Sequence, residues 1–335
     1  MKLFKRKKTA DDLMGRPLWQ HMAAWVLLIV LVLNLAIGWY WSRTPDVFWV
    51  NETAPANSQA VGYSTMDTLI RVAETLLDKP GGYLTNDVAP PGVFLDNIPN
   101  WELGVLQQVR DLARVTRNDY SRSQSQSRED ADLALAEPKF FFDNHSWILP
   151  PTESEYRDGI AGFKSYRDRL AGGGDAQFFA RADNLREWLA QVEKRLGSLS
   201  RRLGDSVATD VINTDLAGDP AAEASSPLPD RVPVRTSWFE IDDIFFEARG
   251  TSWALVHFFR SAQFDFAQVL ADKNAEASVR QIIRELEASL RPLRSPVVLN
   301  GGGYGLTANH SLVMANYLAR ANAAVINLRE LLDQG

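Results

Sequence analysis

A long run of mostly apolar residues lies near the start of the chain, at residues 18–42. No Asp, Glu, Lys or Arg occurs between Arg16 and Arg43. The run is long enough to cross the hydrocarbon core of a bilayer, which takes about 20 residues of helix. Aromatic residues suited to the two membrane–water interfaces stand near its ends: Trp19, Trp25, Trp39, Tyr40 and Trp41. The run therefore predicts a transmembrane helix, rather than a cleaved signal peptide with its shorter apolar region of about 7–15 residues.

Elsewhere the apolar positions recur at helical spacing. Two long stretches, 178–203 and 241–269, alternate apolar residues four and three apart, which is the pattern of a coiled-coil seam. Further helices are predicted at 64–78, 153–170, 276–290 and 309–332, and over at least the first half of 101–136. No stretch alternates as a strand does. We therefore predict an all-α fold: a transmembrane helix followed by a bundle of long helices. The seams could close within the chain or with another chain; short turns between helices favour closure within the chain.

Polar and proline-rich stretches divide the chain. Residues 214–236 contain four prolines and few residues to bury, which is typical of a linker. The predicted parts are a basic tail (1–17), the transmembrane helix (18–42), a tether (43–62), a helical subdomain (63–213), the linker (214–236) and a C-terminal helical subdomain that packs on the first (237–335).

Charge sets the predicted orientation. Six of the 36 Lys and Arg residues precede the apolar run, together with two of the 42 acidic residues. The positive-inside rule then places the N-terminus in the cytoplasm and the rest of the chain outside, where we expect a periplasmic domain. The basic tail is suited to anionic lipid headgroups. The remainder carries a net charge of about −10, which argues against nucleic-acid binding.

Two loops contain more large apolar residues than a solvated loop needs: residues 79–100 and the aromatic connector 139–151. The glycine-rich segment 300–305 is a further unusual loop. We interpret the 79–100 segment as a packed loop of fixed shape, since long ordered loops are often functional. The aromatic connector is a candidate contact patch, and burial under the bundle is the alternative. The candidate interaction surface consists of Tyr83, Phe94, Trp101, Phe141, Trp147, Tyr304 and His310.

Catalytic signals are weak. The chain has no cysteine, its four histidines lack metal-binding spacing, and the glycine-rich segment lacks the Lys-Ser/Thr ending of a phosphate loop, so we predict no metal site and no cofactor. Asp87, Asp96 and Glu102 are the remaining catalytic candidates, because a glycan hydrolase needs two carboxylates and a stacking aromatic such as Trp101. Their alternative roles are turn and helix-start caps.

Several stretches together resemble a known family: GGYLTNDVAPPG, LDNIPNWELGVLQQVRD, ARGTSWALVHFF, RQIIRELEASLRP and LNGGGYGLTANHSLVMANYLARANAAVINLR. The chain is similar over nearly its whole length to a proteobacterial family of single-span inner-membrane proteins, domain of unknown function 2333. The resemblance implies a Gram-negative inner membrane and no particular activity. We predict a membrane-anchored structural or adaptor protein of the cell envelope with a protein partner. The alternatives are a carboxylate-dependent cell-wall glycan hydrolase and a helical binding module for an apolar ligand.

Overall fold

The computed structural model describes residues 18–50, 60–123, 128–207, 209–212, 231–302 and 306–334. These residues form ten α-helices and one two-stranded antiparallel ribbon. The helices are α1 (Leu18–Trp41), α2 (Tyr63–Asp78), α3 (Asn97–Val115), α4 (Ala131–Lys139), α5 (Thr152–Ala171), α6 (Ala182–Gly204), α7 (Ile241–Asp265), α8 (Ala267–Asp272), α9 (Glu276–Ser289) and α10 (His310–Asp333). The strands are β1 (Thr209–Ile212) and β2 (Arg231–Val234).

The predicted all-α fold is confirmed, and α1 stands apart from the rest of it. One N-terminal helix is long and apolar enough to span a membrane, and almost none of it is buried by the protein. Such exposure of Leu, Ile and Val along a whole helix is unfavourable in water, because each exposed apolar side chain keeps its hydration cost. The exposure of α1 therefore fits a lipid environment.

The other helices share one hydrophobic core, including helices on both sides of the predicted linker. Helix α3 runs parallel to α7, since Asn100 bonds Asp243 near their starts and Tyr120, just after α3, packs on Phe266 just after α7. Helices α6 and α10 pair antiparallel, and the α6 seam is buried within the chain: Leu185, Leu189, Val192, Leu196, Leu199 and Leu203. The division into two subdomains remains a prediction.

Glycines allow α3 and α7 to approach closely. A Cβ added to Gly104 would overlap the Glu247 carbonyl oxygen, and one added to Gly250 would overlap the Trp101 carbonyl oxygen. The two backbones therefore touch where these glycines meet. Trp101 and Trp253 pack beside this contact, with ring centroids 5.2 Å apart.

Two local expectations differ from the structure. The predicted helix over 241–269 starts at Ile241 as expected but is interrupted at Phe266, where the buried Phe266 ring packs on Tyr120 and Phe178. Strand β2 occupies the end of the predicted linker, because its backbone pairs with β1, which precedes the linker. Residues 214–230 of the linker lie outside the described residues.

The tether is fastened to α7 over its first part. The Phe48 backbone N–H donates to His257 Nε2 at 3.0 Å, and the two rings stack with centroids 3.8 Å apart. Trp253 Nε1 donates to the Asp46 carbonyl oxygen, and Arg260 donates to that of Phe48. These bonds fix the direction in which α1 leaves the bundle.

Candidate functional site at the anchor-side end

One end of the bundle faces α1, and we call it the anchor-side end. Trp41, the last residue of α1, packs against Gly81, where an added Cβ would lie 2.8 Å from the Trp41 ring. Gly81 follows α2, and Arg157 near the start of α5 bonds Asp78 at the end of α2. The same end contains the starts of α3 and α7, which are joined by the Asn100–Asp243 bond.

The last two helices complete this end. The ring of His310, which starts α10, lies 6.4 Å from that of Phe245 in the first turns of α7. Arg249 of α7 donates to the carbonyl oxygens of Leu290 and Arg291, just after α9. Four loops therefore meet here, and we call them together the anchor-side surface: 79–96, 140–151, 235–240 and 290–309, excluding 303–305.

A buried carboxylate shapes the first of these loops. Glu102 and Lys79 form an ion pair, and neither side chain is exposed to solvent. Glu102 also accepts the backbone N–H groups of Leu84 and Thr85, both at 2.8 Å, and the Thr85 hydroxyl. Burial raises the pKa of the Glu102 carboxyl, and the neighbouring Lys79 charge opposes this shift. The bonds to the Glu102 carboxylate therefore hold the backbone of the 79–96 loop in its folded shape.

A second set of bonds joins the loop to the aromatic connector. Asn86 Nδ2 donates to the Ser146 carbonyl oxygen at 2.8 Å and to Glu153 Oε2 at 2.9 Å. His145 Nδ1 lies 3.3 Å from the Thr85 carbonyl oxygen. The sequence did not indicate this connection, since the bonded residues lie far apart along the chain. The two loops form one continuous surface.

Apolar side chains on this surface point into solvent. Outside α1, the described chain has sixteen large apolar residues that are exposed, and twelve belong to the anchor-side surface or to the first turn of α10. This concentration shows that the exposure is not scattered at random over the bundle. The twelve are Val88, Val93, Phe94, Phe141, Trp147, Ile148, Leu149, Trp238, Phe239, Val297, Leu306 and Val313.

Three consecutive exposed residues, Trp147, Ile148 and Leu149, form a ridge on this surface, in which Leu149 is 88% exposed. The ridge has a fixed backbone, because the hydroxyl of Ser146 donates to the Pro150 carbonyl oxygen and that of Thr152 donates to the carbonyl oxygen of Ser146. Leu149 adopts a positive φ of 54°. Left-handed backbone at a bulky non-glycine residue is strained, and such strain concentrates at functional positions.

The predicted contact residues divide into two groups. Phe94, Phe141 and Trp147 are exposed, and His310 is partly exposed, next to Phe245. Tyr83 and Trp101 belong to the core instead, with 3% and 1% exposure, so they support the surface from below and do not reach a partner directly. Tyr304 lies outside the described residues.

Sequence reasoning missed Leu149, Trp238, Phe239 and Leu306. The signal available for Leu149 and Leu306 was a bulky apolar residue beside Pro or Gly in a turn-rich segment. That signal alone does not separate an exposed residue from a buried one, as the aromatic connector shows: Phe140 is buried and Trp147 is exposed.

The three candidate catalytic carboxylates do not converge on a cleft. Glu102 is fully buried. Asp96 caps α3, since its Oδ1 accepts the Asn97 backbone N–H at 2.8 Å. Asp87 packs against Gly92 inside its own loop, and burial together with the Glu153 charge raises the pKa of its carboxyl. In the described ranges, no three His, Asp or Glu side chains come close enough to hold a metal ion.

A groove of about 540 Å³ separates α1 from the 79–96 loop. It is lined by mostly apolar residues of α1 and of the segment just after it, and by the tip of the loop: Leu27, Val30, Leu31, Asn34, Leu35, Gly38, Trp39, Ser42, Pro90, Pro91, Phe94 and Leu95. The groove joins the apolar surface of α1 to that of the bundle.

Comparison with known proteins gives a family and no activity. Neither a curated protein nor a solved structure matches the chain. A family model described as an uncharacterised protein conserved in bacteria, DUF2333, matches residues 14–335, which include α1 and the entire helical bundle. The chain therefore belongs to DUF2333, the family that its sequence resembles.

Proposed function

We propose that the protein is a membrane-anchored structural adaptor of the bacterial cell envelope. Its basic tail lies in the cytoplasm against anionic headgroups, α1 crosses the inner membrane, and the bundle lies in the periplasm. The charge difference across α1 supports this orientation.

The exposed ridge at Trp147–Leu149 is the observation on which the adaptor role rests. Monomeric proteins rarely expose contiguous large apolar residues without a contact to make, and Trp is enriched at the centres of protein interfaces. The ridge is also preorganised, since the Asn86 and Thr152 bonds hold its backbone before any partner arrives. Preorganisation lowers the entropy cost of binding. Because the ridge lies at the anchor-side end, we expect the partner to be a protein at the membrane surface.

The described structure favours an adaptor over the two alternatives. A glycan hydrolase needs two carboxylates that face one substrate, whereas Glu102, Asp96 and Asp87 are occupied within the protein. An apolar-ligand carrier needs an enclosed cavity, whereas the most apolar groove, beside α1, opens along its length.

Site-specific photocrosslinking in living cells tests the adaptor role. A benzophenone amino acid at position 149 should give a discrete protein adduct. The same residue at position 135, which is 74% exposed on α4 away from the anchor-side end, is the matched control and should give none. The adduct at 149 should disappear when Trp147→Ser removes the centre of the ridge. Lipid adducts only, or equal protein adducts from both positions, would contradict the proposal.

A further inference from the structure

The tip of the 79–96 loop lies beside α1 and not beyond its end. An added Cβ at Gly38 would lie 3.5 Å from Pro91 Cβ and 3.8 Å from Leu95 Cδ2. Gly38 lies in the last turn of α1, and the groove continues along α1 to Leu27, eleven residues or about 16 Å further along the helix axis. If α1 spans a membrane, the loop tip is level with its outward half.

The loop tip is apolar. No charged residue occurs from Val88 to Leu95, and Phe94 is 76% exposed, with Val88 and Val93 exposed beside it. Asp87 and Asp96 bound this stretch, one at each side. An apolar tip between two acidic residues suits a segment that enters a membrane only as far as the acyl-chain boundary.

The backbone of the tip also suits this environment. An irregular segment is costly in lipid because unpaired N–H and C=O groups lose their water. Pro90 and Pro91 have no N–H to satisfy. The N–H groups that follow donate within the loop: Val93 to Ala89, Phe94 to Pro91 and Leu95 to Gly92, at 2.9–3.1 Å. The tip therefore satisfies three of its six N–H groups within the loop.

We propose that Val88–Leu95 inserts into the outer leaflet beside α1 and forms a second, shallow membrane contact. The occupant of this apolar surface is lipid, because the tip is continuous with the helix that is itself exposed to lipid. The Glu102 and Asn86 bonds hold the loop at a fixed height on the bundle. Two contacts at one end then keep the bundle upright on the membrane. This inference rests on the proposed anchoring by α1.

The absence of cysteine allows a direct test. Single cysteines at positions 94, 31 and 264 are labelled with an environment-sensitive fluorophore in the full-length protein. The protein is reconstituted in phosphatidylethanolamine–phosphatidylglycerol vesicles containing lipids with a quencher on the acyl chain. Position 31 reports on α1. Position 264 is exposed at the far end of α7 and serves as the control. Each replaced side chain is exposed, so the fold should tolerate the changes.

We expect strong quenching at positions 31 and 94, at least severalfold above that at 264. Quenching at 31 without quenching at 94 would overturn the insertion and leave the anchoring intact. No quenching at 31 would overturn both proposals. Strong quenching at both 94 and 264 would mean that the bundle lies on its side, which contradicts the upright placement. Formation of a disulfide dimer through the cysteine placed at position 94, without quenching, would show that a second copy covers the loop instead.

Discussion

At the scale of single residues, two buried side chains hold the segments that surround the anchor. Glu102 binds Lys79, Leu84 and Thr85, and it thereby fixes the 79–96 loop. His257 accepts the Phe48 N–H and fixes the tether. His257 is fully buried, and its Nδ1 also bonds the Trp253 carbonyl oxygen. The sequence did not predict the Lys79–Glu102 pair, because two residues separated by a proline-rich loop give no periodic signal.

The Lys79→Met variant should destabilise the protein by about 3–5 kcal/mol, since it leaves a buried carboxylate without its counter-charge. The double variant Lys79→Met/Glu102→Gln should lower the free energy of unfolding by less than the sum of the two single changes, because it removes both charges together. Denaturant unfolding of the protein in detergent, followed by circular dichroism, measures these differences.

The exposed Arg157–Asp78 pair is the control for this comparison. Arg157→Ala should cost under about 1 kcal/mol, as surface ion pairs do. A Lys79→Met cost as small as that of Arg157→Ala would contradict the structural role of the buried pair.

Protonation of His257 should couple stability to pH. Burial, together with the charges of Arg260 and Arg71, lowers the pKa of His257 to about 3, against about 6.5 in the unfolded chain. The stability that depends on neutral His257 is fully present above pH 6.5. It is lost as the pH falls toward 3, by up to about 1.4 kcal/mol in the free energy of unfolding per pH unit. His257→Gln should therefore flatten the acid side of the stability–pH curve. Parallel curves for the two proteins would disprove this linkage.

At the scale of secondary-structure elements, apolar periodicity predicted most helices, including the seam of α6 and the α10 helix. It failed where distant residues decide the outcome. Ser64 and Asp67 resemble a capping box, yet Asp265 from the end of α7 accepts the Gly62 and Thr65 N–H groups at the start of α2. Long-range capping of this kind has no local sequence pattern, so the sequence could not indicate it.

The α3–α7 contact should be sensitive to a single methyl group. Gly104→Ala and Gly250→Ala each place a Cβ against the backbone of the other helix, and such overpacking costs about 1–3 kcal/mol. Gly197→Ala in α6 is the matched control, because its Cβ would meet only Asn322 Nδ2 at 3.5 Å. The control should be neutral or slightly stabilising, since Ala favours helix by about 1 kcal/mol over Gly. Wild-type melting temperatures for both α3–α7 variants would refute the close approach.

At the scale of the whole molecule, the bundle has two unlike ends. The end that faces α1 collects four loops and most of the exposed apolar side chains outside α1. The sequence singled out loops at 79–100, 139–151 and 300–305, but it could not place the described parts of these loops at one end, because that depends on the directions of α3, α7 and α10. Once the helix directions are known, the shared location follows from connectivity alone.

The central claim is that α1 crosses the membrane with the bundle outside, and cysteine accessibility tests it most directly. In the naturally cysteine-free chain, a cysteine is placed at position 135 on the bundle or at position 9 in the basic tail. A membrane-impermeant maleimide should label position 135 in cells whose outer membrane is permeabilised, and position 9 only after the inner membrane is broken. Labelling of position 9 in cells with an intact inner membrane, with position 135 protected, would reverse the orientation and contradict the periplasmic adaptor.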